Sequence, residues 1–281
     1  MLYLIVVSLI WAFSFGLIKG QLTGLDPSLV AAIRLLLSLL VFLPFVRLTR
    51  CRWWQTIALA LIGSIQYDIM YVAYMASFRY LHAYQVALFT IFTPIYVTLA
   101  NDLFSRSFHR RFFYAALLAV IGTAIIVYRD LNQDEFRTGF LLIQIANICF
   151  AFGQVAYTRV MKSVRHTDLQ VFALLYLGAF LSTLPLIWGH SLSVLGQLHL
   201  SQIGALLYLG ILASGICFFL WNYGARKVNA GTLAVCNNLK IPLAIACSAL
   251  IFGERVNWPQ LLTGSAILLT SLLINQWQRG R

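Results

Sequence analysis

The sequence predicts an all-helical integral membrane protein with ten transmembrane helices, built as two inverted five-helix repeats. Three observations carry that expectation. The 281 residues are 61% hydrophobic and only 10% charged, whereas a water-soluble domain holds about 25% charged residues. Apolar runs bounded by charges or turn residues divide the chain into ten segments, each near the ~20 residues that cross the hydrocarbon layer as a helix. The first half of the chain also echoes the second.

In order, the predicted spans cover about 2–19, 28–46, 55–78, 82–100, 112–128, 138–158, 169–189, 200–222, 229–251 and 258–275. The first has no basic stretch before it, so it is expected to be a span and not a cleaved leader. Very short hairpins join spans three and four, and spans eight and nine, which makes those pairs antiparallel neighbours. With both termini in the cytoplasm, 13 of the 20 Lys and Arg residues fall on the inner side and 5 on the outer, leaving Arg34 and Lys240 inside spans. That asymmetry satisfies the positive-inside rule and accounts for the net charge of +12 without a nucleic-acid partner. Trp53, Trp54, Trp258 and Trp277 sit near span ends, as interfacial aromatics do. The five cysteines (Cys51, Cys149, Cys217, Cys236 and Cys247) have no CxxC spacing and read as small buried hydrophobes.

The repeat rests on positions in register. Residues 36–44 of span two end in a Leu-Pro that matches 177–185 of span seven; Pro94 pairs with Pro242, Ala83 with Gly231, and 122–126 with 264–268. The units cover 1–130 and 138–276. Because five is odd, the second unit enters the membrane in the opposite sense, a plan that recurs in secondary transporters with a solute site near the midplane and alternating access.

Ionisable groups inside spans are costly and mark sites. Arg34 lies near the outer end of span two, within snorkelling reach of the interface, and reads as a helix brace. Asp68 and Lys240 fall near the middle of spans three and nine, so each must face protein or a wet cavity. They could pair with each other across the halves, or Lys240 could await an anionic solute group, with Asp68 as counter-ion or proton acceptor. Lys240 is preceded by Asn237 and Asn238 and followed by Pro242, which loosens the helix at 238. Gln144, Asn147, Ala151 and Gln154 share one face of span six, and Trp11, Ser14 and Ile18 one face of span one. Span three adds Gln66, Tyr67, Tyr71 and Tyr74; span eight ends in Trp221, Asn222 and Tyr223. The candidate substrate-binding residues are thus Trp11, Ser14, Gln66, Asp68, Tyr71, Tyr74, Gln144, Asn147, Trp221, Asn222, Tyr223, Asn237, Asn238 and Lys240. Aromatic walls with a few amides suit a small, partly apolar solute with a polar head.

No catalytic, metal or cofactor site is expected. His82, His109, His166, His190 and His199 lie in loops or at span ends without HxxxH spacing, and no P-loop or GxGxxG occurs, which excludes ATP-driven transport by this chain alone at the level of motif.

Ile10-Trp11-Ala12-Phe13-Ser14-Phe15, Arg34, Thr93-Pro94-Ile95-Tyr96, Gly253-Glu254 and the helix of Gly264 are the features by which the chain resembles the drug/metabolite transporter superfamily in its EamA-type form, over essentially its full length. The resemblance implies secondary transport of a small metabolite. The stretches 41–45, 117–122, 176–181, 221–225 and 230–233, with Asn237, Asn238 and the Gln144/Asn147 pair, are similar to the biotin-transporting branch of bacterial members, while Lys240 and Asp68 depart from its pattern. That likeness implies biotin uptake across the inner membrane, with the carboxylate near Lys240, the ureido ring at Asn147, Asn222, Asn237 and Asn238, and the thiophane ring against Trp11, Tyr71 or Tyr223. Export of amino acids or related metabolites is the other transport reading; a membrane-embedded enzyme or receptor is the remote one.

Overall fold

A computed structural model describes residues 2–47, 51–106, 134–189 and 192–227, and single positions between 237 and 270 that include Asn237, Lys240, Ile241 and Phe252. Every regular element among the described residues is helical. Among the described residues seven helices are long and apolar enough to cross a membrane: α1 (Leu2–Gln21), α2 (Pro27–Phe45), α3 (Trp53–Tyr80), α4 (Ala83–Ser105), α5 (Asp134–Met161), α6 (Asp168–Ile187) and α7 (Leu200–Ala225). They coincide with predicted spans one to four and six to eight and make the chain a multi-pass membrane protein. The fifth predicted span, Asn238, Pro242, Glu254 and Gly264 lie outside the described residues.

Lipid offers no partner for the free backbone groups at a helix start, so the sequence supplies them. At α3, α4, α6 and α7 the residue before the helix donates its backbone N–H to a glutamine three positions on: Arg52 to Gln55 (2.9 Å), His82 to Gln85 (2.9 Å), Thr167 to Gln170 (3.1 Å) and His199 to Gln202 (3.0 Å). α2 starts on Asp26, whose Oδ1 accepts from the Ser28 and Leu29 amides at 2.9 and 3.2 Å, with Pro27 at the first helical position.

Three helices are irregular inside the membrane. α3 carries a π-helical segment at Ser64–Ile69 and α7 one at Tyr208–Ile216. In the register that pairs Pro94 with Pro242, residues 64–69 correspond to 212–217, so the two π segments overlap. α4 tightens to a 3-10 turn at Thr90–Phe92 ahead of Pro94, where the proline ring has no N–H to give Thr90 and crowds its carbonyl.

α2 packs on α6 and on the π segment of α7; α3 packs on α6 with its first half and on α5 with its second; α1 lies along the end of α7. Backbones touch where α3 meets α6: a Cβ on Gly63 would lie 1.8 Å from the Leu175 carbonyl oxygen, and one on Gly178 2.1 Å from that of Ala60. Ser64 Oγ donates across this crossing to the Gly178 carbonyl at 3.0 Å, and Ser38 Oγ donates to the Gly210 carbonyl at 2.8 Å where α2 meets α7. Ion pairs tie helix ends together. Asp168, at the start of α6, takes Arg226 at 2.6 Å and the Tyr157 hydroxyl at 2.6 Å; Asp26, before α2, lies 3.8 Å from Arg79 at the end of α3.

Candidate substrate cavity

Between these helices lies a cavity whose empty space, counting the open space at its mouth, is about 580 Å³. α1 contributes Trp11, Ser14, Phe15 and Ile18; α3 Met70, Tyr71 and Tyr74; α4 Thr90 and Thr93; α5 Ala146, Asn147 and Phe150; α7 Ala213 and Phe218. Arg34 of α2 and Lys240 also line it, so among the described residues the wall holds two cations and no acid.

Trp11 organises the aromatic side. Its Nε1 donates to the Ala213 carbonyl at 2.9 Å, a backbone group inside the π segment of α7, where the altered helical pairing leaves a carbonyl for a side chain to use. Phe218 packs against the indole at 4.9 Å between ring centroids and Phe150 meets it edge-on at 6.3 Å. Lys240 Nζ sits 5.3 Å over the same indole and donates to Asn237 Oδ1 at 3.0 Å. A cation over an indole face is held by the ring quadrupole.

Sequence position suggests that Arg34 snorkels outward; the structure turns it inward and leaves it 3% exposed. Its Nε donates to Ser214 Oγ at 3.0 Å, Nη2 to the Tyr71 hydroxyl at 3.2 Å and Nη1 to Met75 sulfur at 3.6 Å, with the guanidinium 4.2 Å above the Tyr71 ring. The Tyr71 hydroxyl in turn donates to Ser214 at 2.7 Å. A polar seat contributed by α3 and α7 thus replaces the interface as the partner of this charge.

The opposite wall is amide and hydroxyl. Asn147 Nδ2 donates to the Phe89 carbonyl at 2.9 Å, beside the 3-10 break of α4, and to Gln144 Oε1 at 3.3 Å; its Oδ1 accepts from Thr93 Oγ1 at 3.2 Å. Gln144 stands behind it and accepts from the Tyr96 hydroxyl at 3.1 Å.

Of the residues singled out from sequence, Trp11, Ser14, Tyr71, Tyr74, Asn147 and Lys240 meet in the cavity. Asn237 and Gln144 stand one side chain behind, through Lys240 and Asn147. Gln66, Trp221 and Asn222 do not line it: Trp221 lies behind Trp11 at 5.1 Å, Asn222 Nδ2 donates to the Tyr67 hydroxyl at 2.8 Å, and Gln66 Nε2 donates to Asn222 Oδ1 at 3.3 Å. Tyr223 is turned away against Phe219 and accepts from Lys227. Asp68 is not the partner of Lys240. It is buried toward the hydroxyls of Ser182 and Thr183 on α6, with no hydrogen-bond partner for its Oδ1 among the described residues. Thr90 and Thr93 line the cavity without having been site candidates, Thr93 entering only as part of a family feature, although their spacing of three immediately before Pro94 marks a polar face at a helix break. Sequence reasoning also passed over Phe15, Met70, Phe150 and Phe218, which carry no signal against an apolar background.

The EamA-like transporter family model matches the chain twice, at residues 1–128 and 137–276. A biotin transporter of Salmonella typhimurium is 40% identical over 98% of this chain and 93% of its own length. A probable biotin transporter of Pseudomonas aeruginosa is 40% identical over 99% of this chain and 98% of its own. A crystal structure of another protein shares the fold, with a TM-score of 0.69 over 96% of this chain and 94% of that one at 18% identity.

Proposed function

Since the chain belongs to the EamA-like transporter family, we propose that it imports biotin across the bacterial inner membrane by alternating access. The observation that carries this reading is the aromatic cavity with Lys240 in its wall and no acid among the described lining residues, in a chain 40% identical over 98% of its length to a biotin transporter. The valerate carboxylate goes to Lys240, the ureido group to Asn147 and Thr93, and the thiophane ring between Trp11 and Phe218. Export of a zwitterionic amino acid would need an anion beside the cation, and Asp68 lies outside the lining.

The reading includes ten helices in two inverted repeats with both termini cytoplasmic. Its support is the double match to the family model, the overlapping π segments of α3 and α7, and the Asp26–Arg79 and Asp168–Arg226 pairs at corresponding helix ends. In that orientation Tyr74 and Ile18 lie toward the outside, and the layer Gln66–Asn222–Tyr67 lies toward the cytoplasm. In the proposed cycle these bonds between α3 and α7 break when solute is released inward.

The test is uptake of labelled biotin at nanomolar concentration into cells that lack their own biotin importer, with and without this chain. Saturable accumulation is expected. None, with the protein shown to be in the membrane, sinks the proposal.

A further inference from the structure

We infer that Arg34 is a second anion-binding residue of the cavity, so that the anionic group of the solute is met by two cations contributed by different halves of the chain. This rests on the biotin reading and names a residue of its site. Arg34 and Lys240 line one cavity, and among the described residues its lining contains no acid and neither cation has a carboxylate within ion-pair distance. The three acceptors that Arg34 uses, Ser214, Tyr71 and Met75, are all neutral. A guanidinium has five N–H donors; one bond from each nitrogen leaves a donor on each Nη without a partner among the described residues.

A buried cation held only by neutral groups is an unfavourable arrangement within a membrane. An anionic ligand removes that disadvantage. The geometry suits one: stacking over Tyr71 at 4.2 Å and the Nε bond to Ser214 fix the plane of the guanidinium, and a fixed planar fork matches a carboxylate. The two cations also flank one stretch of wall. Lys240 lies over Trp11, Trp11 is tied to the carbonyl of Ala213, and the next residue, Ser214, holds Arg34. A brace alone would need only neutral donors between α2, α3 and α7, and would give this side chain no reason to line the cavity.

The test compares binding of biotin and of its uncharged methyl ester to the purified full chain, for the wild type, Arg34→Gln and Arg34→Lys. Arg34→Gln should lose at least about 30-fold in affinity for the acid, the loss expected when a buried charge pair is cut, and keep its affinity for the ester within about 3-fold. Ester binding also reports that the variant is folded. If Arg34→Gln does not fold, Arg34→Lys decides: loss of the fork should weaken the acid more than the ester. Equal losses for acid and ester, or no loss for either, overturn the inference and leave Arg34 a brace. Failure of the wild type to bind biotin would overturn the biotin reading and this inference with it, whereas wild-type binding with parallel losses overturns this inference alone.

Discussion

Replacing Lys240 by methionine should separate binding from folding. In the empty protein Lys240 is 6% exposed, and its ammonium donates to Asn237 at 3.0 Å and lies 5.3 Å over Trp11. The charged hydrogen bond contributes about 1.5–3 kcal/mol and the indole contact about 0.5–2 kcal/mol. Against these stands the desolvation of an ion, several kcal/mol even after relaxation, so the terms nearly cancel. Methionine keeps the length of the side chain and its dispersion contact with the indole. The apo protein should therefore change by no more than about 2 kcal/mol, a shift in Tm below about 8 °C. Binding is different, because a carboxylate buried without its cation loses about 2–5 kcal/mol, or about 30-fold to more than 1000-fold in Kd. Thermal unfolding with and without saturating biotin, together with calorimetric titration, measures both quantities on one preparation. An unchanged Kd would remove Lys240 from the site. A collapse of the apo Tm beyond that range would make it a structural residue.

Four further outcomes follow from particular contacts. Gly63→Ala puts a methyl group 1.8 Å from the Leu175 carbonyl, so thermal unfolding should show a loss of about 1–3 kcal/mol or more; Gly204→Ala, with nothing within 4 Å, should be neutral or stabilise by up to about 1 kcal/mol, and equal effects would contradict the close helix crossing. Asp168→Asn cuts a partly buried pair at 2.6 Å and should cost about 1–3 kcal/mol, while Asp26→Asn, whose pair at 3.8 Å is exposed, should cost under about 1 kcal/mol; melting curves rank the two. Asn222→Leu should leave biotin affinity within about 3-fold yet change the rate of uptake, since Asn222 bonds Gln66 and Tyr67 and does not line the cavity; parallel changes in affinity and rate would refute its role in closure. Asp68→Asn should likewise keep affinity within about 3-fold, and a loss as large as that of Lys240→Met would return Asp68 to the site.

Composition and apolar run length made most of the membrane helices legible, because a helix crossing lipid must be apolar for its whole buried length. The ends were less so. Predicted span 55–78 is the helix Trp53–Tyr80, and 138–158 is Asp134–Met161. Helices continue past the apolar layer into the headgroup zone, where Asp134 or Arg159 is no obstacle, so a boundary drawn at the first charge falls short. The π segments left no trace in the pattern. Tyr208–Ile216 is as apolar as the helix on either side, and the polarity of Gln66 and Asp68 within Ser64–Ile69 marks a polar face and not a change of helical pitch, so an inserted residue shows only when the contacts are known.

That insertion explains which candidate residues reach the cavity. A π turn holds one residue more than an α turn, so side chains beyond it are rotated by roughly 100° relative to an unbroken helix. Gln66 and Asp68 lie within the segment of α3, Tyr71 and Tyr74 beyond it. A stripe drawn at constant helical period joins residues that the structure sends to different neighbours: Asp68 to α6, Gln66 to Asn222, Tyr71 and Tyr74 to the cavity. The two cations make the same point about distance along the chain. Lys240 stood out because its partner, Asn237, is three residues away, within one helical turn. Arg34 takes its seat from Tyr71 and Ser214, 37 and 180 residues away. A charge beside its own polar neighbours can be read locally, whereas a charge whose neighbours arrive only on folding resembles any arginine near a span end until α3 and α7 are in place.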